Sequence, residues 1–362
     1  MRILVISNLY PDTTQPTFGT FVATHVAALR RAGAEVDLAA IKGFQVHRGI
    51  GPKYARLAVR ALLMAVRAAL RGRRYHVVEA HIAFPTSAIA WPIARLVGAR
   101  LVVYCHGSDV SEVAVRSGRH RALARFLFRR ADLLIVNSGH TAAVVAANFG
   151  ISGKKVIQLS PGIDTDIFRA DPTASRDPAS VLFVGRLDPS KGIDVLIDAA
   201  ALIGSDAIRL SVIGTGPDRE RLEQRAMQLG VSALFLGGLL PAEVARQMAC
   251  AAVLAVPSKV AEGLGLVALE GMASGAMVIA SATGGLVESV EPGSTGWLVP
   301  PGDAPALAAA INEALAAGNG EAGHEIRRKA AARAAEHDVY EMGRRAVALY
   351  SAGGSGRAAG AE

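Results

Sequence analysis

The chain has 362 residues, which is too many for one ordinary hydrophobic core and enough for two domains. Apolar residues make up 51% of it, the formal net charge is +8, and the two cysteines, Cys105 and Cys250, lie far apart. This composition excludes an intrinsically disordered chain, a disulfide-stapled scaffold and a cysteine-based metal site, and no run of ~18 apolar residues predicts a membrane span.

Residues 1–168 alternate short apolar runs, typical of buried strands, with longer segments of helical periodicity. The predicted strands are Ile3–Ser7, Val36–Ile41, Val77–Ala80, Leu101–Tyr104, Leu133–Val136 and Val156–Leu159. The predicted helices are Phe18–Arg31, Lys53–Gly72, Pro85–Val97, His120–Arg130 and Thr141–Phe149. Strands separated by helices predict a parallel, doubly wound sheet, so residues 1–168 are assigned to an N-terminal Rossmann-like domain.

A polar run rich in Asp, Pro and Ser, Arg169–Ala179, predicts a linker, after which the alternation restarts. The predicted strands are then Ser180–Gly185, Leu210–Ile213, Leu234–Leu236, Val253–Val256, Met277–Ala280 and Trp297–Val299. The predicted helices are Ile193–Leu202, Arg219–Leu229, Ala242–Ala249, Leu266–Ala273, Leu286–Val290, Pro305–Leu315, Glu325–Ala335 and Val339–Tyr350. Residues 180–336 are therefore assigned to a second Rossmann-like domain, and the Gly/Ala-rich residues 351–362 to a flexible tail.

The predicted fold class is α/β, with two Rossmann-like doubly wound domains facing an interdomain cleft. Open α/β sheets bind ligands at the carboxyl ends of their strands, which places the expected site in that cleft. The loop after the first strand has no G-x-G-x-x-G pattern, so NAD binding is disfavoured. Gly19 in this loop still lets backbone approach a phosphate or an acceptor. Gly214-Thr-Gly216 is only a weak signal of ligand binding, because an ordinary strand-to-helix turn explains these glycines equally well.

The segment Glu262-Gly-Leu-Gly-Leu-Val-Ala-Leu-Glu270 is the most informative motif of the chain. It places two carboxylates eight positions apart across a glycine-rich turn that leads into a helix. A wholly helical interval would separate them by ~12 Å, and free N–H groups at the helix start would face an anion between them. The pattern suits a sugar joined through a diphosphate to a nucleoside. The alternative is a solvated pair of glutamates on a surface helix.

Two cations converge on the loop after the first strand of the second half, Gly185-Arg186-Leu-Asp-Pro-Ser-Lys191. Arginine grips a phosphate with two hydrogen bonds and lysine adds a point charge, which together neutralise a departing nucleoside diphosphate. The alternative is an ordinary basic loop in which Asp188 or Ser190 caps the next helix. Because the Glu262–Glu270 motif lies in the same half, we favour the phosphate-binding interpretation.

His106 follows a strand of the first half in Cys105-His-Gly-Ser-Asp109, at an end that faces the expected cleft. Its ring can contact a sugar hydroxyl, or its backbone carbonyl can approach a developing cation, whereas a lone histidine is often a structural group. Gly284-Gly285 precedes another helix and predicts a second nest of amides. Asp164-Thr-Asp166 matches a metal-diphosphate pattern but sits in a turn next to the linker, so we predict no metal site and no cofactor.

The basic charge is concentrated between Asp37 and Glu79, a window with nine cations and no acidic residue. On a helical wheel one narrow stripe holds six of them, Lys53, Arg56, Arg60, Arg67, Arg71 and Arg74. Apolar residues form a flank beside it. The stripe indicates either a helix resting on anionic lipid or a solvated face of a core-packed helix. Nucleic acid is disfavoured because no aromatic residues alternate with the cations.

The first apolar run meets Pro11 and Asp12 too soon for a signal peptide, and two unpaired cysteines fit a reducing compartment. We therefore expect a cytoplasmic protein, peripheral on the inner face of the membrane if the basic stripe binds lipid.

These segments together resemble the family 4 retaining glycosyltransferases, which have the GT-B architecture. The resemblance extends to about Tyr350 and also includes Pro161-Gly-Ile-Asp164 and Gly296-Trp-Leu-Val-Pro300. It implies that a last helix, about 338–350, packs back on the first domain. One departure from the family pattern is Leu264, where the family often has phenylalanine. The implied catalytic residues are His106, Glu262, Arg186 and Lys191. The implied donor-binding residues are Gly19, Gly185, Gly263, Leu264, Gly265, Leu266 and Glu270.

The implied reaction moves a sugar from a nucleotide diphosphate donor to an acceptor hydroxyl with retained anomeric configuration, by front-face attack. The basic stripe hints at a lipid-linked or cell-envelope acceptor. A nucleotide-sugar epimerase of the same architecture and an inactive, membrane-associated binding subunit are the alternatives. The motifs do not identify the sugar, the base or the acceptor.

Overall fold

A computed structural model of the chain describes residues 1–12, 19–42, 50–204, 207–318 and 320–352. The chain forms two compact units. The first comprises Met1–Gly162 together with the segment from Val339 onward, and the second comprises Ile163–Asp338. Each unit contains a six-stranded sheet whose paired strands are parallel, so the predicted doubly wound α/β class is confirmed.

The strands follow the predicted order along the chain. They are β1 (Arg2–Ser7), β2 (Glu35–Ala40), β3 (Val77–His81), β4 (Arg100–Cys105), β5 (Leu133–Val136), β6 (Val156–Gln158), β7 (Asp177–Val184), β8 (Arg209–Ile213), β9 (Ala233–Gly237), β10 (Ala251–Val256), β11 (Met277–Ser281) and β12 (Gly296–Val299). The strand order is β2-β1-β3-β4-β5-β6 in the first sheet and β12-β11-β10-β7-β8-β9 in the second.

Helices separate nearly all of these strands. They are α1 (Thr20–Arg31), α2 (Ile50–Leu70), α3 (Ala83–Val97), α4 (Gly118–Arg130), α5 (Gly139–Phe149), α6 (Ile193–Ile203), α7 (Arg219–Gln228), α8 (Pro241–Cys250), α9 (Leu266–Ala273), α10 (Leu286–Ser289), α11 (Ala304–Ala317), α12 (Glu321–Ala335) and α13 (Val339–Ala352). A π-turn at Asp109–Val113 and 3-10 turns at Gly153–Lys155 and Pro189–Lys191 have no periodic signal in the sequence and were not predicted.

In the first unit, α2 to α5 cover one face of the sheet, and α1 and α13 cover the other. The last helix belongs to this unit because α13 packs closely on α1, where a Cβ on Gly343 would lie 2.8 Å from the backbone of Ala28. Two contacts fix its end: Arg100 Nη1 donates to Tyr350 O at 2.6 Å, and the hydroxyls of Tyr104 and Tyr350 lie 2.7 Å apart.

In the second unit, α6, α7 and α11 pack on one face of the sheet, and α8, α9 and α12 on the other. The predicted domain limits need two corrections here. Residues 163–168 belong to this unit, since Ile163 pairs with Asp338 and Phe168 is buried in its core. The predicted linker is shorter than expected because β7 already begins at Asp177. Residues 353–362, most of the predicted flexible tail, lie outside the described residues.

Candidate functional site

The turn between β10 and α9 carries the first predicted site residue, Glu262. The strand ends at Val256 and the helix begins at Leu266, so the helix covers only the second half of the Glu262–Glu270 interval. Gly265 precedes the helix with a φ of 78°, and a Cβ there would lie 2.3 Å from Leu286 Cδ2. Backbone conformation and packing therefore both call for glycine at this position.

The start of α9 offers free backbone donors. No side chain caps this terminus, and within the described residues the N–H groups of Gly265, Leu266 and Val267 have no hydrogen-bond acceptor. The first paired group is Ala268 N–H, which donates to Gly265 O at 2.9 Å. Unpaired donors at the positive end of a helix dipole can bind an anion. The free N–H groups at the start of α9 are therefore suited to the anion that the sequence predicted there.

Gly284 and Gly285 pack against the Glu262 turn. Gly285 N–H donates to Glu262 O at 2.8 Å, so it is not free for the predicted second amide nest. A Cβ on Gly284 would lie 2.4 Å from Glu262 O, and one on Gly285 would lie 2.2 Å from Gly263 O. The two glycines thus let two backbone segments touch, and this contact fixes the turn that presents Glu262.

Lys191 and Glu262 form an ion pair. Lys191 follows β7 and Glu262 follows β10, and these strands are neighbours in the sheet, so their carboxyl-end loops meet. Lys191 Nζ lies 2.5 Å from Glu262 Oε1, and Ser258 Oγ donates to the same oxygen at 2.6 Å. Lys259 N–H also donates to Ser190 O at 2.8 Å, which ties the two loops together. Both charged side chains are partly exposed, so a ligand can reach them.

Arg186 lies on the same loop as Lys191 and extends into solvent. Its side chain is 67% exposed, and its ion pair with Asp188 is long, at 3.4 Å. Asp188 caps the Pro189–Lys191 turn by accepting from Ser190 N at 3.0 Å. It does not cap the next helix, as the alternative interpretation of the loop expected, because Gly192 holds the N-cap position of α6. Gly185 N–H donates to Ile213 O at 3.0 Å, so this glycine extends the pairing of β7 with β8 by one residue. The guanidinium of Arg186 is therefore open to an incoming anion.

Glu270 lies in the second turn of α9. Among the described residues, no group forms a hydrogen bond or an ion pair with its carboxylate. Burial raises the pKa of Glu270 to about 7, so the carboxyl group is about half ionised at neutral pH. A partly buried carboxylate that has no partner among the described residues can accept a hydrogen bond from a group outside the protein.

His106 follows β4 in the first unit and is held by its backbone. Asp109 Oδ1 accepts from His106 N and from Gly107 N, both at 2.9 Å, and its Oδ2 accepts from Ala83 N at 2.7 Å. Burial raises the pKa of Asp109 to about 6, although these N–H groups act to lower it. His106 O already accepts from Asn137 Nδ2 at 2.9 Å, so the ring is the better candidate for a ligand contact.

A buried cluster of His25, Glu79 and His81 lies beside His106 and was not predicted from the sequence. Both His25 Nε2 and His81 Nε2 lie 3.1 Å from Glu79 Oε2, and His81 Nδ1 lies 3.3 Å from His106 Nε2. The three side chains are of types that could also hold a metal ion, and one nitrogen or oxygen atom of each lies within 4.8 Å of the others, although the sequence predicted no such group. The available signal was a glutamate and a histidine inside an otherwise apolar strand.

Gly19 directly precedes α1 with a φ of 71°. A Cβ there would lie 2.9 Å from the backbone of Leu9 and Tyr10, so the turn requires glycine for close packing. Residues 13–18 of the same loop lie outside the described residues. The predicted role of Gly19 in donor binding stays a prediction.

Helix α2 exposes an apolar flank beside its cations. Leu57, Ala61, Ala65 and Ala68 form its buried face. Five larger apolar side chains, Val59, Leu62, Leu63, Val66 and Leu70, are between 38% and 82% exposed. We call these five residues, with the exposed cations Arg56, Arg60, Arg67 and Arg71, the α2 surface. Arg71 and Arg74 lie beyond the end of the helix at Leu70, so the helical part of the predicted stripe is shorter than expected. Among the described residues, no helix is long and apolar enough to cross a bilayer.

Family models and relatives match almost the whole chain. Residues 19–167 match the model described as Glycosyltransferase Family 4, and residues 164–337 the one described as Glycosyl transferases group 1. Over 352 residues the chain is 30% identical to a protein of Mycobacterium tuberculosis H37Rv named GDP-mannose-dependent alpha-(1-6)-phosphatidylinositol monomannoside mannosyltransferase. This match covers 87% of the chain and 89% of the relative. The chain belongs to glycosyltransferase family 4.

A further relative and two similar solved structures agree with this family assignment. A Mycolicibacterium smegmatis protein of the same name is 34% identical over 249 residues, which cover 63% of the chain and 64% of that protein. Sucrose-phosphate synthase from Thermosynechococcus elongatus superimposes with a TM-score of 0.80 at 23% identity, covering 97% and 98% of the two chains. Anabaena HepE, solved in complex with UDP and glucose, superimposes with a TM-score of 0.78 at 22% sequence identity, and the match covers 97% of this chain and 100% of HepE. The predicted GT-B architecture is confirmed.

Each unit of this family 4 chain thus assembles one group of candidate residues. The second unit brings Lys191 and Glu262 into contact and places Arg186 on the same loop. The segment that follows Glu262 carries the uncapped start of α9 and the Glu270 carboxylate, which has no partner in the part of the chain that the structure describes. The first unit surrounds His106 with buried polar groups. The group of residues in the second unit can bind an anion flanked by hydroxyl groups, which is the chemistry of a nucleotide sugar.

Proposed function

We propose that this chain is a retaining glycosyltransferase that moves a sugar from a nucleotide diphosphate donor to a hydroxyl group of a membrane-associated acceptor. The observation that carries the proposal is the grouping in the second unit. A lysine–glutamate pair joins the loops after β7 and β10, and helix α9 then supplies an uncapped start and a carboxylate that has no partner among the described residues. Cations and free amides suit a diphosphate, and carboxylates suit the hydroxyl groups on either side of it.

Each residue has a role that its surroundings support. Arg186 and Lys191 bind the diphosphate, with the N–H groups from Gly263 to Leu266 completing the cradle. Glu262 accepts hydrogen bonds from sugar hydroxyls, in an orientation set by Lys191 and Ser258. Glu270 accepts hydrogen bonds from the ribose, which offsets the cost of burying its charge.

The reaction proceeds on one face of the sugar. The bond from the anomeric carbon to the diphosphate oxygen breaks, and the acceptor oxygen bonds the same carbon from the same side. The acceptor proton passes to the leaving phosphate. Lys191, Arg186 and the start of α9 stabilise the negative charge that grows on the diphosphate, and we propose that this suffices without a metal ion. His106 lines the reacting face of the sugar.

The names of similar proteins support this substrate class. Two mycobacterial relatives are named GDP-mannose-dependent alpha-(1-6)-phosphatidylinositol monomannoside mannosyltransferase, and HepE was solved with UDP-glucose. These names favour a nucleotide sugar as the donor and a lipid-linked acceptor. The α2 surface supports the acceptor class because cations beside exposed apolar side chains fit an anionic bilayer. We propose a cytoplasmic protein that binds peripherally to the inner face of the membrane.

Incubation with UDP-, GDP- and ADP-sugars and a panel of lipid-linked acceptors tests the proposal. We expect one donor to be consumed only when acceptor is present, and NMR of the product to show the donor's anomeric configuration. An inverted product contradicts the mechanism. A donor that is isomerised without acceptor indicates an epimerase, and binding without any turnover indicates an inactive binding subunit.

Replacing Arg56, Arg60 and Arg67 together by alanine is expected to weaken binding to anionic vesicles. Each cation near an anionic surface contributes about 1 kcal/mol, so the loss is about a hundredfold in partition coefficient. Flotation with phosphatidylserine vesicles measures it. The charge-matched control replaces Arg221, Arg328 and Arg344, which are exposed and each paired with an acidic residue three positions earlier in the chain. Equal flotation of both triple variants would show that the α2 surface is not a membrane contact.

A further inference from the structure

A chain of hydrogen bonds runs through the buried face of the first unit. Glu79 and His81 lie two residues apart on β3, so their side chains point to the same face of the sheet. The Nε2 atoms of His25 and His81 both lie 3.1 Å from Glu79 Oε2. His81 Nδ1 faces His106 Nε2 at 3.3 Å. His25, Glu79 and His81 are buried, so this network connects Glu79 to His106 without solvent.

The donors and acceptors of this network can be assigned by counting hydrogens. Burial acts to raise the pKa of Glu79, but the charge of His25 and the hydrogen bonds from His25 and His81 bring it well below its usual value. Glu79 is therefore ionised and only accepts. Each Nε2 atom that faces it must then carry a hydrogen, both in His25 and in His81.

The same count extends to His106. Burial lowers the pKa of His81, so its ring is neutral, and with a hydrogen on Nε2 its Nδ1 is bare. A bare nitrogen accepts, so the facing His106 Nε2 carries a hydrogen. Burial and the neighbouring His81 and His25 hold the pKa of His106 well below its usual value, so that ring is also neutral. Its Nδ1 is consequently left with a free lone pair.

We propose that Glu79 is a positioning residue, which acts through His81 to hold His106 in the tautomer with hydrogen on Nε2 and a lone pair on Nδ1. An Nδ1 lone pair accepts a hydrogen bond from a hydroxyl group and cannot donate one. The network thereby makes His106 selective for a ligand group that donates. The identity of that group as a sugar hydroxyl rests on the proposed function, whereas the tautomer itself does not.

Other contacts already fix the orientation of the rings. Tyr104 stacks on His81 with ring centroids 4.3 Å apart and an interplanar angle of 16°, and the Phe21 ring lies 4.7 Å from that of His106. The backbone of His106 is held separately by Asp109 and Asn137. Removal of the Glu79 carboxylate is therefore expected to change which nitrogen carries the hydrogen more than where the rings lie.

Nitrogen NMR of the full chain, labelled with ¹⁵N in its histidine rings and free of ligand, tests the tautomer directly. His106→Gln assigns the His106 signals. In the wild type we expect His106 Nδ1 to be bare and Nε2 to carry the hydrogen. Glu79→Met removes the acceptor at similar length and is expected to give a mixture of tautomers, whereas Glu79→Gln keeps an acceptor oxygen and the wild-type pattern. A bare Nε2 on His106 in the wild type, or an unchanged pattern in Glu79→Met, overturns the proposal.

A second variant covers the case in which Glu79→Met does not fold. His81→Phe keeps an aromatic ring beside Tyr104 and removes the nitrogen that accepts from His106. It is therefore also expected to give a mixture of the two His106 tautomers. A fixed His106 tautomer in His81→Phe overturns the proposal. So does a stoichiometric metal ion bound by His25, Glu79 and His81 in the purified protein, because the ring nitrogens would then be ligands.

The link to the proposed function is read separately. Addition of the donor nucleotide sugar is expected to shift the His106 Nδ1 signal, and kcat/KM should fall about three- to tenfold in Glu79→Met but not in Glu79→Gln, as for one lost hydrogen bond. If the tautomer is as assigned but the donor leaves the signal and kcat/KM unaffected, the sugar contact fails while the positioning role of Glu79 stands.

Discussion

Replacement of Lys191 or Glu262 by alanine is expected to lower kcat about a hundredfold to a thousandfold while the protein stays folded. Lys191 neutralises charge that grows on the diphosphate in the transition state, and Glu262 holds the sugar in the reactive position. Because the two side chains contact each other at 2.5 Å, each single change also leaves its partner without a counter-charge. The double variant should therefore lose less than the product of the two single effects. Steady-state kinetics with the donor found by the substrate panel measures these losses.

The fold should survive these changes because the pair is partly exposed, and such ion pairs contribute about 0–1 kcal/mol to stability. The matched control is Arg225 with Asp198, a pair in the same unit at 2.6 Å on helices α7 and α6. Replacing Arg225 by alanine should leave kcat unchanged. Near-normal turnover in both Lys191→Ala and Glu262→Ala would remove the proposed mechanism, whereas a loss in Arg225→Ala would point to general damage of the unit.

Glu270→Gln is expected to stabilise the free protein and to weaken donor binding at the same time. Burial raises the folded-state pKa of Glu270 to about 7 from its usual value of 4.5, so the folded protein disfavours the ionised carboxylate. A carboxyl group whose folded-state pKa is raised in this way makes its full contribution to stability below about pH 4.5, and that contribution is lost as the pH rises through about 7. The glutamine removes that loss, and its free energy of unfolding at pH 8 should exceed that of the wild type by about 3 kcal/mol.

The same replacement should lower the affinity for a nucleotide sugar about ten- to a hundredfold. Hydrogen bonds from ribose hydroxyls to a charged carboxylate are stronger than those to a neutral amide. In the wild type the affinity should rise between pH 6 and pH 8 as Glu270 ionises, and in Glu270→Gln it should be flat. A nucleotide sugar is the right ligand for this calorimetry because its diphosphate does not itself titrate in the range.

Urea unfolding at pH 5 and pH 8 checks the stability, with Glu223→Gln as the control. Glu223 forms a surface ion pair with Arg219 on α7, so its loss should give no stabilisation. A Glu270→Gln variant that is no more stable at pH 8, or that binds the donor as well as the wild type, contradicts the assignment of this carboxylate to a ligand.

The sequence predicted those features of the fold that depend on local patterns. The order and type of the strands and helices follow from apolar runs and helical periodicity, and β10, the turn and α9 are recognisable as one continuous segment. Lys191 and Glu262 could be predicted because each lies in a loop after a strand, where parallel sheets place their ligands. Their contact depends on β7 and β10 being neighbours, which the spacing along the chain does not reveal.

The buried network around Glu79 could not be predicted because its members come from separate elements. His25 is 54 residues from Glu79 in sequence and has the periodicity of an ordinary core position on α1. Only the register of β3 and the packing of α1 bring them together. The domain limit was misplaced for a similar reason, since the pairing of Ile163 with Asp338 joins residues far apart in the chain.

Helix α2 shows a different limit of sequence reasoning. A helical wheel separates its apolar flanks, but hydrophobicity alone suggests that the leucine and valine flank faces the core. The structure buries the alanines, Ala61, Ala65 and Ala68, because small side chains let the helix approach the sheet closely. The larger apolar residues remain outside, next to the cations, and it is their exposure that favours a membrane contact.

A crystal structure with a bound nucleotide sugar would show directly which residues hold the donor. We expect the diphosphate within hydrogen-bond distance of Lys191 Nζ, the Arg186 guanidinium and the N–H groups at the start of α9. We also expect the ribose hydroxyls on Glu270 and the sugar hydroxyls on Glu262. A donor bound with its diphosphate elsewhere in the chain, away from Lys191 and α9, would contradict the proposed donor site.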